Sequence, residues 1–175
     1  MSSKDELRKI VKDKLNFLTD EEKENKSKEI FNEVLSHDKY KSAKTVFCFL
    51  SDFNEPYTID FIKKAIRQGK TVYVPKIVGE NMTAVEIDFD TEFWYNKFGI
   101  LEPKTGKEGN SFDFTVVPMI AFDSELNRLG RGKGYYDRFL SKHKTYKCGV
   151  AFDCQMVEKI ESESTDVKLD VVICK

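Results

Sequence analysis

Histidine and cysteine, the residues that most often build metal centres and covalent catalytic sites, are scarce in this chain. Its 175 residues include two histidines and four cysteines. His37 and His143 lie in polar helix-end settings, so we expect solvent-exposed side chains and neither a histidine triad nor a multi-histidine metal site. The cysteines form no C-x-x-C motif, and three of them lie in apolar, strand-like runs. Cysteine in such runs is usually a small buried hydrophobe, so no disulfide or zinc site is expected.

Long apolar runs and an excess of one charge are also missing. No segment approaches the roughly 20 apolar residues needed to cross a bilayer. Residues 1–6 carry acids and no apolar core, unlike a secretory signal, which predicts a cytoplasmic location. With 29 basic and 30 acidic residues the net charge is -1, which provides no broad positive surface for nucleic acid. A composition of 40% hydrophobic and 34% charged residues indicates one globular domain, residues 1–175.

Capping signals predict two helices at the N-terminus. Ser3-Lys4-Asp5-Glu6 and Thr19-Asp20-Glu21-Glu22 both place a hydroxyl residue three positions before a glutamate, which is the capping-box pattern. Lys4 and Arg8 are one turn apart on the first helix and share a face. From the sequence alone, that pair is typical of surface charge.

From residue 45 onward, strand patterns alternate with helix patterns. Residues 45–50 predict a strand buried on both faces, and a helix and a second strand (71–76) complete a parallel βαβ unit. Residues 82–90 alternate in polarity, as in a strand nearer the sheet edge, where antiparallel pairing is also compatible. Further strands are predicted at 114–122, 146–152 and 169–174, with a helix at 135–142. The pattern predicts a three-layer α/β/α sandwich around a mostly parallel, mixed sheet.

Ligands of such sheets bind beyond the carboxyl ends of the strands. Glu55 and Lys76 each follow a predicted strand, so we expect both at that edge. Phe93, Trp94, Tyr95 and Phe98 cluster in the sequence. They are compatible with a core position or with an apolar wall for a flat heteroaromatic ligand.

The most distinctive stretch alternates glycine with cations. It reads Arg128-Leu129-Gly130-Arg131-Gly132-Lys133-Gly134-Tyr135-Tyr136-Asp137, between an apolar run and a predicted helix. Glycine lets a backbone approach a ligand closely, and exposed N–H groups at a helix start attract anions. Arginine and lysine add full positive charge, and the aspartate offers oxygen ligands to a hard cation. The residues alone leave two interpretations open: a phosphate cradle with a magnesium ligand, or a basic surface turn.

This stretch, with Val117-Pro118-Met119-Ile120-Ala121-Phe122-Asp123 before it, resembles the signature of the 5-formyltetrahydrofolate cyclo-ligase (5,10-methenyltetrahydrofolate synthetase) family. Lys4-Asp5-Glu6-Leu7-Arg8 resembles the family's K-x-x-L-R segment, and residues 99–103 resemble its G-I-x-E-P stretch. The resemblance implies a sugar-phosphate-isomerase/CoA-transferase-like fold. It also implies ATP- and Mg²⁺-dependent conversion of 5-formyltetrahydrofolate to 5,10-methenyltetrahydrofolate, with release of ADP and phosphate.

The resemblance also implies roles for individual residues. Arg131 and Lys133 would act on the transferred phosphoryl group, and magnesium would be held by Asp137 and Asp170. ATP would be bound by residues 128–136 together with Lys4, Arg8 and Lys76. The folate would be bound by residues 131–135 together with Leu50, Glu55 and Met82. The expected partners are small molecules, with no nucleic acid or membrane, and we expect a monomer.

Two other functions remain open at this stage. One is a sugar-phosphate enzyme on the same fold, in which Glu55 would serve as a general base and ATP would not be needed. The other is a non-catalytic nucleotide- or folate-binding protein. Met119 stands where family members often have glycine, which predicts a narrower space under the glycine-rich loop.

Overall fold

The structure, a computed structural model, describes residues 2–175. Within them the chain forms five α-helices and a short 3-10 helix at Asp153–Gln155. The α-helices are α1 (Lys4–Asn16), α2 (Asp20–Ser36), α3 (Asp38–Ser42), α4 (Ile59–Arg67) and α5 (Tyr135–Lys142). No helix in this part of the chain has the length and apolar character needed to span a bilayer.

Strands alternate with these helices along the chain. They are β1 (Thr45–Cys48), β2 (Thr71–Val78), β3 (Asn81–Ile87), β4 (Phe93–Tyr95), β5 (Leu101–Pro103), β6 (Glu108–Gly109), β7 (Phe114–Val117), β8 (Ala121–Phe122), β9 (Arg128–Leu129), β10 (Tyr146–Ala151) and β11 (Val171–Cys174).

A seven-stranded sheet in the order β11-β10-β7-β1-β2-β3-β6 forms the middle layer. The strands from β11 to β2 are parallel, and β3 and β6 join antiparallel at one edge. The predicted βαβ unit is confirmed, because β1 and β2 are parallel neighbours joined through α4. Two small ribbons, β4 with β5 and β8 with β9, lie outside this sheet.

The residues of the central strands alternate between two apolar cores. Val46 and Cys48 of β1 pack with α1, α2 and α4, whereas Phe47 between them packs with Phe139 and Leu140 of α5. Because successive side chains of a strand point to opposite faces, both faces of β1 are covered by helices. The fold is therefore the predicted α/β/α sandwich with a mostly parallel sheet.

Both predicted capping boxes are present. The Glu6 N–H donates to Ser3 Oγ at 3.2 Å, and the Ser3 N–H donates to Glu6 Oε2 at 2.8 Å. Thr19 and Glu22 exchange the same pair of bonds at the start of α2. These bonds satisfy N–H groups that have no partner within the helix.

Several local predictions differ from the structure. The second strand runs on to Val78, because it forms a hairpin with β3. The apolar run at 114–122 is divided into β7 and β8, and it is interrupted at Pro118, which has no N–H to donate. Both histidines are half-buried rather than exposed. The His143 ring packs on Phe139 with centroids 4.4 Å apart, and the His37 ring packs on Tyr146 with centroids 5.3 Å apart.

The Ser3 cap gives a prediction for stability. Ser3→Ala removes the acceptor for the Glu6 N–H and should lower the free energy of unfolding by about 1 kcal/mol in urea denaturation. Ser2→Ala is the matched control, because Ser2 precedes the cap and is exposed. Equal unfolding free energies for the two variants would contradict a stabilising cap.

Candidate functional site

A cavity of about 1350 Å³ opens at the carboxyl ends of β1, β2 and β7. All but two of the predicted site residues line it. These are Lys4, Arg8, Leu50, Glu55, Met82 and the whole run from Arg128 to Asp137. The fold thus brings the first helix, the loop after β1 and the glycine-rich loop, defined here as residues 130–134, to one place. These segments meet there because ligand sites of open α/β sheets lie beyond the carboxyl ends of the strands.

The glycine-rich loop connects β9 to α5 and has a backbone that other residues adopt with difficulty. Gly132 and Gly134 have φ values of 100° and 68°, in the left-handed region. A Cβ on Gly134 would lie 2.8 Å from Nη1 of Arg138, but that flexible side chain could move aside, so the positive φ is what favours glycine there. Gly134 occupies the N-cap position of α5, and no side chain caps the helix. The first N–H groups of α5 are therefore available to an anion in the cavity.

Arg128 is buried beneath this loop and joins its two ends. Nη1 donates to the Pro118 carbonyl at 2.9 Å, and Nη2 contacts Oδ2 of Asp137 at 3.4 Å. Its guanidinium lies over the Tyr136 ring, 5.4 Å from the centroid. Burial lowers the pKa of Arg128, and the Asp137 charge opposes that shift. Arg128 therefore has a structural part in the site, since it fixes the end of β7 against the first turn of α5.

Arg131 extends from the loop to the segment after β1. Its Nη2 forms an ion pair with Asp52 and donates to Glu55 Oε1 at 3.0 Å. Burial alone would lower the pKa of Arg131, but the charges of Glu55 and Asp52 outweigh it and the pKa is raised. The cation expected to meet phosphate is thus held by two carboxylates.

Glu55 is the carboxylate of this group most strongly affected by its surroundings. Its side chain is 15% exposed, and burial, reinforced by the Asp52 charge, raises its pKa to about 7. The Asp52 N–H and Arg131 act in the opposite direction without offsetting the burial. Glu55 is therefore a group that can exchange a proton near neutral pH.

The first helix contacts the glycine-rich loop through Arg8. Nε of Arg8 donates to the Gly130 carbonyl at 2.9 Å. Lys4 lies on the same face and forms ion pairs with Glu163 at 3.0 Å and Asp166 at 3.1 Å. Lys4 and Arg8 therefore line the cavity while remaining partly exposed.

The carboxylate of Asp137 faces the cavity and accepts from the Val167 N–H at 3.1 Å through Oδ1. Each carboxylate oxygen retains a further lone pair. Magnesium keeps several waters and is often bound by one or two carboxylates together with substrate phosphates, so Asp137 fits that role. Within residues 2–175, no group of three or more His, Cys, Asp or Glu side chains is placed to hold a metal by itself.

Asp170, the second predicted metal ligand, does not line the cavity. Its carboxylate accepts from the Lys147 N–H at 2.7 Å and pairs with Lys147 Nζ at 3.3 Å. It precedes β11, which pairs in parallel with β10, and so lies at the amino ends of these strands. The cavity lies beyond the opposite, carboxyl ends of the strands, so the structure does not bring Asp170 to Asp137. Several other acids do share the cavity with Asp137, among them Asp166.

Lys76, predicted to bind ATP, also points away from the cavity. Its Nζ donates to the carbonyls of Pro103 at 3.1 Å and Lys104 at 2.9 Å. Pro75 and Ile77 on either side do line the cavity. Since side chains alternate along a strand, Lys76 must face the other way once β2 continues past it.

The aromatic cluster is divided: Tyr95 and Phe98 form one wall of the cavity, whereas Phe93 packs against the core and Trp94 is exposed outside the cavity. It lies on the hairpin of β4 and β5, referred to below as the aromatic hairpin, residues 93–103. Tyr95 and Phe98 are 72% and 57% exposed, and both line the cavity. Lys133 of the glycine-rich loop lies over the Phe98 ring, with Nζ 5.2 Å from the centroid. The hairpin and the loop therefore face each other across the cavity.

Met119 is buried and fills the space above Gly149 of β10. A Cβ on Gly149 would lie 2.3 Å from Cε of Met119, so the two residues are sterically matched. The long side chain expected to narrow the site is thus accommodated partly by a glycine in the neighbouring strand.

Sequence reasoning assigned no role to four acids that line the cavity: Asp52, Glu102, Glu163 and Asp166. Asp52 lies in the same loop as Glu55, so the argument that selected Glu55 applies equally to it. Glu102 belongs to the G-I-x-E-P stretch at residues 99–103, but that resemblance implied no role for it. Glu163 and Asp166 follow no strand of the parallel sheet, and no sequence signal places them near the glycine-rich loop.

Comparisons with known proteins agree over nearly the whole chain. A model described as the 5-formyltetrahydrofolate cyclo-ligase family matches residues 1–175. The 5-formyltetrahydrofolate cyclo-ligase of Escherichia coli K12 is 30% identical over 94% of this chain and 96% of its own. The mouse enzyme of that name is 31% identical over 98% of this chain and 93% of its own.

Solved structures with the same fold include two 5,10-methenyltetrahydrofolate synthetases. The Aquifex aeolicus protein has a TM-score of 0.88 and 32% identity, covering 98% of this chain and 89% of that one. The Mycoplasma pneumoniae protein has a TM-score of 0.81 at 22% identity, with 98% of each chain covered, and supports the fold alone.

The raised pKa of Glu55 predicts a pH-dependent stability difference between wild type and Glu55→Gln. Between its ordinary pKa of 4.5 and the folded value of about 7, the folded protein binds the Glu55 proton more tightly than the unfolded chain does. Proton binding at Glu55 therefore stabilises the folded state. This stabilisation is fully present below the lower pKa and is lost as pH rises through the higher one. Glutamine does not titrate, so the variant should gain up to about 3 kcal/mol relative to wild type across this window.

Urea denaturation from about pH 4 to about pH 8 measures this difference. Glu158→Gln, a change at an exposed glutamate outside the cavity, should follow wild type throughout. A Glu55→Gln difference that does not change with pH would contradict the shifted pKa.

Proposed function

Because the chain belongs to the 5-formyltetrahydrofolate cyclo-ligase family, we propose that it converts 5-formyltetrahydrofolate to 5,10-methenyltetrahydrofolate using ATP and Mg²⁺. One observation supports this most: a phosphate-type loop, a cation and a carboxylate that titrates near neutral pH all line a single cavity with an aromatic wall. The cavity exceeds the usual size for a single small ligand, as two substrates require.

ATP would bind along the glycine-rich loop. The N–H groups of the loop and of the start of α5 would receive phosphate oxygens, with Arg131 and Lys133 supplying charge. Lys4 and Arg8 of α1 would contact the nucleotide from the other side. In the absence of phosphate, Arg131 is paired with Asp52 and Glu55, so ATP binding would exchange one anionic partner for another.

Asp137 would hold the magnesium ion that accompanies ATP, with water and phosphate oxygens as the remaining ligands. When bound, magnesium would neutralise charge that develops on the phosphates during transfer. Arg128, which contacts Asp137 from below the loop, would fix the orientation of that carboxylate.

The folate would occupy the space between Leu50, Met82 and Tyr135, which line the cavity with the aromatic hairpin. Apolar side chains on several sides suit a flat ring system. Glu55, beside Arg131, would contact the pterin at the end where the formyl group meets the phosphates.

The reaction would proceed in two stages. The formyl oxygen attacks the γ-phosphorus, so that a P–O bond forms, the bond to the β-phosphate oxygen breaks and ADP leaves. N10 then attacks the formyl carbon and loses its proton, and cleavage of the carbon–oxygen bond releases phosphate and leaves the methenyl bridge. Arg131 and Lys133 would stabilise the charge on the phosphoryl group, and positioning accounts for most of the remaining catalysis.

The titration of Glu55 near pH 7 also favours a second candidate, a sugar-phosphate enzyme with Glu55 as general base. Such an enzyme would bind one phosphate on the glycine-rich loop and would not need ATP.

A near-ultraviolet assay for the conjugated methenyl product tests the proposal. Absorbance should rise with 5-formyltetrahydrofolate and Mg-ATP together, and should stay flat when either ATP or magnesium is omitted. Folate binding without turnover would indicate a non-catalytic binding protein. Absence of both folate binding and turnover would contradict the proposal and would favour a sugar-phosphate substrate.

Lys133 gives a prediction for the phosphate side. Lys133→Ala removes one charged hydrogen bond, worth about 1.5–3 kcal/mol, and should raise the KM for ATP by about tenfold or more. Lys142→Ala is the matched control, because Lys142 is an exposed lysine on α5 that does not line the cavity. Steady-state kinetics in which Lys133→Ala has wild-type values of both KM and kcat would reject the phosphate role.

The two metal ligands predicted from the sequence, Asp137 and Asp170, can be tested against each other. Asp137→Asn weakens the charge that holds magnesium, so the magnesium concentration for half-maximal activity should rise by about tenfold or more. Asp170→Asn should leave it unchanged, because Asp170 lies at the opposite edge of the sheet. A magnesium titration in which Asp170→Asn shows the larger shift would overturn this assignment.

A further inference from the structure

Glu102 of β5 is a buried carboxylate that the steps proposed above do not use. The residue is 4% exposed, and it lines the cavity next to the aromatic residues of its own hairpin. A carboxylate removed from water to this extent is costly unless hydrogen bonds compensate for the lost solvation.

The partners of Glu102 are few and neutral. Oε2 accepts from the Ile77 N–H at 3.3 Å and from Nδ2 of Asn96 at 3.2 Å. Within residues 2–175, no lysine, arginine or histidine forms an ion pair with it. The charge is therefore only partly compensated by the protein.

The other oxygen, Oε1, accepts no hydrogen bond from the described part of the chain. Oε1 nevertheless keeps some exposed surface, unlike Nε of Arg128, which is buried without a partner. Because Glu102 lines the cavity, Oε1 is accessible from there. The structure thus presents a negatively charged acceptor, set among apolar groups, to whatever ligand occupies the aromatic side of the cavity.

Glu102 and Glu55 mark different positions in the cavity. Glu55 is bonded to Arg131 and to the Asp52 N–H, beside the glycine-rich loop. Glu102 is bonded to β2 and to the turn of the aromatic hairpin. A ligand that spans these positions would carry its reacting centre near the phosphates and hydrogen-bond donors at the aromatic end.

We propose that Glu102 is a specificity residue that accepts hydrogen bonds from the 2-amino and N3–H edge of the bound pterin. This inference rests on the proposed function. The pterin ring meets both requirements: N5, which carries the formyl group, belongs to one of its fused rings, and the amino–amide edge lies on the other. A buried carboxylate also disfavours ligands that present a carbonyl or an anion at that position, because neither can donate to it.

The test compares two ligands across three proteins by calorimetry, under non-turnover conditions without ATP. The ligands are 5-formyltetrahydrofolate and its 2-desamino analogue, which lacks the amino donor. The proteins are wild type, Glu102→Gln and Glu92→Gln, an exposed glutamate just before the same hairpin that does not line the cavity.

Loss of the amino group should weaken binding to wild type and to Glu92→Gln by about tenfold or more, the scale of a hydrogen bond to a charged group. For Glu102→Gln the same change in ligand should alter affinity by less than about threefold. Glutamine can keep the bonds from Ile77 and Asn96, so a purely structural role for Glu102 would leave the discrimination between ligands unchanged. That result would overturn the proposal.

Two further results separate the possibilities without relying on the variant. Equal affinity of wild type for both ligands would overturn the Glu102 assignment while leaving the proposed function intact. Failure of wild type to bind 5-formyltetrahydrofolate would overturn both.

Weaker binding of a non-hydrolysable ATP analogue to Glu102→Gln, with unchanged folate binding, would assign the acceptor to adenine and contradict the proposal.

Discussion

The buried guanidinium of Arg128 holds the site together. A cation removed from water must be hydrogen-bonded or paired, and Arg128 satisfies this with the carbonyl at the end of the central strand β7 and the carboxylate of Asp137. These contacts fix both ends of the glycine-rich loop, one at the sheet and one at α5. The loop can therefore keep a backbone conformation that few residues adopt, with its N–H groups and cations directed to the cavity.

Charge is divided across the cavity in a way that suits two different substrates. The loop and the first helix present cations, which match phosphates. The opposite side presents aromatic rings together with Glu102, which matches a flat ring with N–H donors. Between them, Arg131 is paired with Asp52 and Glu55, so the buried carboxylate of Glu55 has a charged partner when no ligand is bound. Binding of a phosphate would release these carboxylates, and Glu55 is the one whose proton affinity would respond most.

Local signals in the sequence predicted much of this arrangement, and long-range geometry limited the rest. The capping boxes, the βαβ unit from β1 to β2 and the position of the glycine-rich loop follow from short patterns, and the structure contains all three. Lys76 was misplaced because its direction depends on whether β2 ends or continues, which the antiparallel pairing with β3 decides. The prediction for Asp170 rested on the family resemblance alone, which does not define at which end of β11 the residue lies. Glu102 lies within the G-I-x-E-P stretch, but a role for it could not be predicted, because its burial depends on where the aromatic hairpin packs.

Phosphorylation of the formyl oxygen is the central step of the proposed mechanism, and isotope transfer measures that step directly. 5-Formyltetrahydrofolate labelled with oxygen-18 in the formyl group would be converted with Mg-ATP, and the released phosphate analysed by mass spectrometry. If the formyl oxygen attacks the γ-phosphorus, the label appears in inorganic phosphate in proportion to product. Unlabelled phosphate formed alongside the methenyl product would show that ATP hydrolysis and ring closure do not share an intermediate, and would contradict the proposed mechanism.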